Sequence, residues 1–377
     1  MRKWMLRTHL VLSLFLGLFF VAICLSGSFL VLRTDIDRWQ HPDLYKATPG
    51  HATLQTILTN ATEANAGKVI DYFEYPRKED GLFHVWLTTP DGKGPEQQVF
   101  IDPGSGKVLG QNDGEQSVFM KFMGNLHYYL LLEGVIGNNG AQLVEAIVGL
   151  VFLIVLVTGV FVWWPGIRKF ASGFRIVRHK GKLVFQRDLH RSIGIVTSPI
   201  LIVFALTGIL FTSDAALNLF GGFQTYVDAP AERKTIKPGG EPLPLDQLIA
   251  KVQQVVPNGD PVYATNSVDP TQASAVIMNV GYNPSQYGNV TTYINQYTGD
   301  ILWKSDPSSK LSIYQNLKYG LHFGTWGGEF SKILYVIIGV APLFFMITGV
   351  TIWQLKARAK RRSKKRIPRA SLPTSAA

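Results

Sequence analysis

The chain has 377 residues, a net charge of +11 and a mean hydropathy of +0.12. Its one cysteine, Cys24, lies inside an apolar run, so the sequence excludes disulfides and thiolate-ligated metal sites elsewhere in the chain. Four apolar runs have close to the roughly 20 residues that a helix needs to span a bilayer. These predicted spans cover residues 10–32, 143–164, 193–213 and 333–353.

The first run is predicted to be a membrane anchor and not a cleaved signal peptide. It is longer than the apolar core of a signal peptide, which has about 7–15 residues, and no A-x-A site closes it. Between the spans we distinguish two long segments, two interfacial segments and a basic loop, followed by a basic tail. The long segments are residues 33–116 and 214–310. The interfacial segments are 117–142, predicted as a helix and a loop, and 311–332. The basic loop is 165–192 and the tail is 354–377.

The distribution of charge predicts the orientation in the membrane. The N-terminus, residues 165–191 and the tail together hold 20 of the 37 basic residues and one of the 26 acids, Asp188. The rest of the chain therefore has 17 bases and 25 acids. By the positive-inside rule, both termini and the central loop are cytoplasmic and the two long segments lie outside. The basic tail is interpreted as an anchor to lipid headgroups and not as a nucleic-acid site.

The chain reads as an internal duplication. In each half a histidine opens the first span, a glycine follows it 18 residues later, a second histidine precedes the second span, and that span carries a Thr-Gly pair. Both halves begin on the cytoplasmic side, so the repeats are parallel and related by a pseudo-twofold axis along the membrane normal. The histidines are His9 and His127, then His190 and His322; the glycines are Gly27 and Gly208; the Thr-Gly pairs are 158–159 and 348–349.

The two long segments repeat one α+β pattern. Helical periodicity at residues 51–66 and 243–256 precedes strand-like runs, and each set closes on a turn signal, "DPGSGKVLG" or "NQYTGDILW". The strand-like runs are residues 82–89, 97–102, 273–280 and 290–295. The predicted fold is an α-helical membrane protein, a four-helix transmembrane bundle of two parallel repeats, each with a small external α+β domain.

The four histidines are predicted to form two pairs. Eighteen helical residues rise about 27 Å, so His9 and His190 lie on the cytoplasmic side and His127 and His322 on the external side. A ligand nitrogen lies only about 2 Å from its metal, which excludes a pair that crosses the membrane. The pseudo-twofold axis therefore pairs His9 with His190 and His127 with His322.

The two pairs are interpreted as axial ligands of two b-type haems. Zinc would require a third and fourth ligand, and no carboxylate or cysteine stands at a matching position. Two imidazoles in a bundle lined by glycines suit a haem, with the glycines making room for the macrocycle, and the lack of CxxCH predicts non-covalent binding. Arg7 and Arg191 adjoin the inner histidines and serve either as haem propionate partners or as positive-inside anchors.

The segments "LHRSIGI", "LHYYLLLEG" and "VTGVFVWWPG", together with the two turns, resemble the PepSY-associated transmembrane family over nearly the whole chain. That family includes iron-regulated inner-membrane proteins and ferric-siderophore reductases of the ferrioxamine type. The resemblance implies PepSY-like periplasmic domains, a place in a bacterial inner membrane, and haems that pass electrons outward to a ferric siderophore.

The sequence therefore predicts a di-haem ferric-siderophore reductase. Electrons would enter at His9 and His190 from a cytoplasmic or quinol donor and leave from His127 and His322. Two rivals stay open: a haem-free PepSY-type sensor or protease regulator, and a haem relay to a non-iron acceptor. The four symmetric histidines favour haem over the sensor, since a binding module has no need of them.

Overall fold

The computed structural model describes residues 1–77, 81–112, 117–212 and 227–366. The chain forms two compact units. The helical unit combines Met1–Ser28, Leu126–Ile209 and the chain from Ile337 onward, and the sheet unit combines Phe29–Asn125 with Leu210–Val336.

Each half of the chain contains four strands, which follow one another between groups of helices. The helices are α1 (Arg2–Val31), α2 (Arg33–Gln40), α3 (Leu54–Glu63), α4 (Val118–Tyr129), α5 (Glu133–Trp163), α6 (Lys182–Ile209), α7 (Leu245–Val255), α8 (Lys310–Phe323) and α9 (Gly328–Arg366). The strands are β1 (Val69–Glu74), β2 (Phe83–Thr88), β3 (Gln97–Ile101), β4 (Val108–Asn112), β5 (Gly259–Thr265), β6 (Ser274–Val280), β7 (Val290–Ile294) and β8 (Ile301–Lys304).

Four helices, α1, α5, α6 and α9, are long and apolar enough to cross a membrane. The protein is thus a multi-pass membrane protein with four candidate spans, which confirms the predicted fold class. Two of these helices extend beyond the predicted apolar runs at the ends that carry basic residues: α6 begins at Lys182, and α9 continues to Arg366. Ser213, the predicted end of the third span, lies outside the described residues.

The spanning helices pack as a ring through small and aromatic residues. Phe20 of α1 lies against Phe152 of α5, with ring centroids 4.7 Å apart. A Cβ on Gly149 of α5 would lie 3.1 Å from Ile209 of α6, and Gly339 of α9 lies directly against the backbone of α1. Glycines at these contacts allow the helices to approach closely, as is usual in membranes. Since α6 also packs on α9, α1 and α6 occupy diagonal corners of the bundle.

The sheet unit contains one antiparallel sheet of eight strands in the order β4-β3-β2-β1-β5-β6-β7-β8. Strands β1–β4 belong to the first repeat and β5–β8 to the second. The two sets join where β1 pairs with β5, through Phe73 opposite Ala264. The α+β nature of both segments is confirmed, and this pairing merges the two predicted domains into one continuous sheet.

A single hydrophobic core crosses this junction between the repeats. Ile57 of α3 and Leu248 of α7 are fully buried in the same cluster as Phe73 of β1 and Val276 of β6. Full burial of such a side chain contributes about 1.5–3 kcal/mol. Because residues of both repeats share this core, neither repeat buries its apolar face alone.

Candidate functional site

His9 of α1 and His190 of α6 face each other inside the helical unit. Their ring centroids are 6.3 Å apart and their planes are nearly perpendicular, at 87°. The two helices occupy diagonal corners of the bundle, so both side chains reach toward its axis. The structure therefore brings the two inner histidines together, as the pseudo-twofold axis requires.

The Nδ1 atom of His9 lies 2.9 Å from the carbonyl oxygen of Val155 on α5. A carbonyl oxygen only accepts hydrogen bonds, so Nδ1 carries the proton and donates it. The neutral ring then keeps its lone pair on Nε2, the nitrogen available to a metal. Metal-ligating histidines are commonly oriented in this way by a backbone carbonyl.

His190 is oriented by a hydroxyl group and not by a backbone carbonyl. Its Nδ1 atom lies 2.8 Å from Oγ1 of Thr348 on α9. That hydroxyl donates its own proton to the carbonyl oxygen of Phe344, one helical turn earlier. With the hydroxyl proton directed to that carbonyl, Oγ1 accepts a hydrogen bond from Nδ1 of His190, and the lone pair of this imidazole is on Nε2.

His127, at the end of α4, repeats the arrangement on α1. Its Nδ1 atom lies 2.9 Å from the carbonyl oxygen of Ile23, three residues before Ser26. The carbonyl that receives His9 is likewise three residues before Thr158. In the first half of the chain, His9 thus lies beside the pair Thr158-Gly159 of α5, and His127 lies beside the pair Ser26-Gly27 of α1.

The glycines of these pairs lie against the imidazole rings. A Cβ on Gly27 would lie 2.9 Å from Cε1 of His127, and one on Gly159 would lie 3.2 Å from Cε1 of His9. A Cβ on Gly349 would lie 3.6 Å from Cε1 of His190, an ordinary contact distance. The space left by these glycines is therefore occupied by the histidine rings. The expectation that the glycines make room for the haem macrocycle is not what the structure shows at these three positions.

His322 lies on α8 in the sheet unit. Its ring centroid is 5.1 Å from that of Phe211 and 5.7 Å from that of Phe323. Lys318, one turn earlier and only 5 % exposed, places its Nζ 4.4 Å from the centroid of Phe211. Burial lowers the pKa of Lys318 to about 8. The pairing of His127 with His322 stays a prediction.

The two arginines proposed beside the inner histidines differ in environment. Arg7 is exposed on α1. Arg191 donates from Nη2 to the carbonyl oxygen of Ser172, 3.2 Å away, and lies 4.0 Å from the carboxylate of Asp188. Its Nε is buried without a hydrogen-bond partner among the described residues. An anionic ligand beside His190 would satisfy this donor, so Arg191 is the better candidate of the two.

Two residues of the helical unit were not singled out from the sequence for a structural role. Asp188 is 2 % exposed; it accepts from the backbone NH of Val177 at 3.2 Å and from Arg187 at 3.0 Å. It thereby fixes the basic loop onto the start of α6, two residues before His190. Glu145 lies within the spanning part of α5, and its signal was visible as an acid inside an apolar run.

The family model described as PepSY-associated TM region matches residues 6–356. The chain therefore belongs to the PepSY-associated transmembrane family. No curated protein matches the chain.

Proposed function

We propose that this protein is a di-haem b-type electron carrier that reduces ferric siderophore in the periplasm. The observation that carries the proposal is the His9–His190 pair. Two imidazoles on diagonal helices face each other, and each presents Nε2 as the nitrogen with the lone pair.

The separation of the rings fits two axial ligands of one iron. Imidazole nitrogens bind first-row metals at about 2 Å, and a ring centre lies about 1 Å behind its nitrogen, so two opposed rings have centroids roughly 6 Å apart. The observed separation is 6.3 Å. Within the described ranges, no group of three or more His, Cys, Asp or Glu side chains is placed to hold a metal ion. Two ligands suit a haem, whose macrocycle supplies the others.

A bound haem would supply reversible one-electron transfer. His9 and His190 would hold it through their Nε2 atoms, and Val155 and Thr348 are the acceptors that orient the two rings. Hydrogen bonding to an axial imidazole raises its basicity and thereby alters the potential of the metal. Arg191 offers its buried Nε to a propionate.

His127 and His322 form the proposed outer pair, and the proposed acceptor is a ferric siderophore. Tyr128, beside His127, is 48 % exposed and offers an aromatic surface for docking. A groove of about 700 Å³ in the sheet unit is lined by four carboxylates, those of Asp71, Asp91, Glu96 and Asp269. These charges favour neutral or cationic chelates over anionic ones. Iron would leave as Fe²⁺, which siderophores bind far more weakly.

The test begins with the haem content of detergent-purified protein. A pyridine haemochrome assay should give about two haems b per chain. The haems are then reduced anaerobically, the reductant is removed, and ferric siderophores of different charge are added. Reoxidation with one Fe²⁺ trapped per electron would support the proposal.

Two results would contradict parts of it. A colourless protein from haem-replete cells would remove the electron-transfer function and favour the haem-free sensor. Slow reoxidation by every ferric chelate, with fast reoxidation by another periplasmic oxidant, would leave an electron carrier that is not a ferric reductase. A fluorescent protein fused to the C-terminus tests the proposed orientation, since it should fold on the cytoplasmic side.

A further inference from the structure

Glu145 lies on the side of α5 that faces the interior of the bundle. The buried residues Ala141, Val148, Phe152 and Val155 recur at helical spacing along α5, and Glu145 falls on the same stripe. Within the described residues it makes no hydrogen bond or ion pair. Carboxylates inside spanning helices are rare and usually functional, because an isolated charge is costly there.

The packing of α1 on α5 places Glu145 at the depth of His127. The two helices are antiparallel, since His9 lies beside Val155 and Phe20 lies beside Phe152. Glu145 is seven residues from Phe152, about 10 Å along the axis toward the external end. The same seven residues along α1 from Phe20 lead to Gly27, where a Cβ would lie 2.9 Å from Cε1 of His127.

The internal repeat supports the same location. Gly149 and Gly339 correspond, so the counterpart of Glu145 in the second half is Tyr335. The hydroxyl of Tyr335 donates to the carbonyl oxygen of Leu321, 2.7 Å away and directly before His322. In the second half of the chain, the residue at this position thus contacts the segment that carries the outer histidine. In the first half, the same position is occupied by the carboxylate of Glu145.

We infer that Glu145 takes up a proton from the external side when an electron reaches the outer haem, and releases it when the electron passes to the ferric chelate. The inference rests on the proposed function. A bis-histidine ferric haem has one net positive charge at its centre, which compensates a nearby carboxylate. One electron removes that charge, and one proton restores neutrality in the apolar bundle.

Few other groups of the bundle can take this role. Residues 192–209 of α6 and 337–355 of α9 contain no titratable side chain, and α1 offers only His9 and Cys24 between Arg7 and its end. On α4 the groups nearest the bundle are His127 itself and the tyrosines that follow it. Glu133, at the start of α5, is exposed and provides a matched control.

The experiment is a spectroelectrochemical titration of the haem-loaded full chain at several pH values near neutrality. The outer haem, identified as the one lost in His127→Ala, should have a midpoint potential that falls with rising pH. A tenfold change in proton concentration corresponds to about 59 mV for a one-electron couple, the limit for full coupling. Glu145→Gln should make this potential independent of pH, and Glu133→Gln should leave the slope unchanged.

An infrared redox difference spectrum of the wild-type protein gives a second measurement that needs no stable glutamine variant. A carboxylic acid C=O band should grow on reduction, and Glu145→Asp should shift it. A pH-independent outer potential in haem-loaded wild-type protein would overturn this inference and leave the proposed function standing. A chain that binds no haem would overturn both.

Discussion

Thr348 accepts a hydrogen bond from Nδ1 of His190 and donates one to the carbonyl oxygen of Phe344. The hydroxyl thus selects one tautomer of the imidazole. Thr348→Val keeps the shape of the side chain and removes this acceptor. We expect roughly 10–100-fold weaker binding of the inner haem, the usual effect of losing an outer-shell partner. Haem affinity is measured by titrating haem into apoprotein.

The matched control is Thr351→Val, less than one turn further along α9. The hydroxyl of Thr351 donates only to the carbonyl of Ile347 on its own helix. Equal losses in the two variants would show that the defect comes from α9 itself and not from the orientation of His190.

A second prediction concerns the shared iron. If His9 and His190 ligate one haem, His9→Ala and His190→Ala should each remove the same spectral component, about half of the total haem. The double variant should lose no more than either single one, because a haem cannot be lost twice. Additive losses of haem, measured by pyridine haemochrome, would show that His9 and His190 do not ligate the same iron. His179, exposed in the basic loop, is the control position, and His179→Ala should keep both haems.

The glycines that face the histidines predict a graded series of alanine variants. A Cβ would lie 2.9 Å from the ring of His127 at Gly27, 3.2 Å from His9 at Gly159 and 3.6 Å from His190 at Gly349. Overpacking of this kind costs about 1–3 kcal/mol, so Gly27→Ala should lose most thermal stability and haem, and Gly349→Ala least. Gly17→Ala on α1 meets nothing within 4 Å and should be neutral. The reverse order in thermal melts would contradict the role assigned to these glycines.

The turn at Asp102, in the sheet unit, predicts sensitivity to acid. Burial alone would raise the pKa of Asp102, but hydrogen bonds from the side chains and backbone NH groups of Ser105 and Thr48 outweigh it and hold the pKa well below its usual range. The unfolded chain protonates this group near pH 3.9. The stabilisation is therefore complete above that pH and is lost as the pH falls toward the folded-state pKa.

Asp102→Asn should lower the free energy of unfolding by about 1–3 kcal/mol at neutral pH, since the hydrogen bonds from Thr48 and Ser105 to this buried carboxylate lose their charged acceptor. It should also flatten the acid limb of the stability profile, measured by thermal denaturation of the full chain at a series of pH values. Asp260→Asn, at an exposed position of β5, is the control. An unchanged acid limb in the Asp102 variant would assign the sensitivity to other groups.

The features predicted correctly from the sequence are local ones. The apolar runs of α1, α5, α6 and α9 and the alternation in β2 and β6 depend on neighbouring residues. The strands β1 and β5 were not predicted, because "VIDYFE" carries two acids and "GDPVYAT" contains Pro261. Their pairing joins residues almost 200 positions apart, which no local pattern encodes.

In the candidate site, too, the local features were predictable from the sequence and the contacts between helices were not. Repetition alone singled out His9, His190 and the Thr-Gly pairs as special. It did not reveal that the pairs orient the rings, since that depends on which helices are neighbours and which are diagonal. Glu145 could be identified from the sequence alone, because it is an acid inside an apolar run. Its depth beside His127 required the antiparallel packing of α1 and α5.

The pairing of β1 with β5 also decides how much unpaired backbone the sheet exposes at its edges. Two separate four-stranded sheets would have four border strands, each able to recruit a strand from another molecule. The joined sheet has two, β4 and β8, with five and four residues. The two repeats thus pair two of their edge strands with each other. The two edge strands that remain are too short to offer a long template for association.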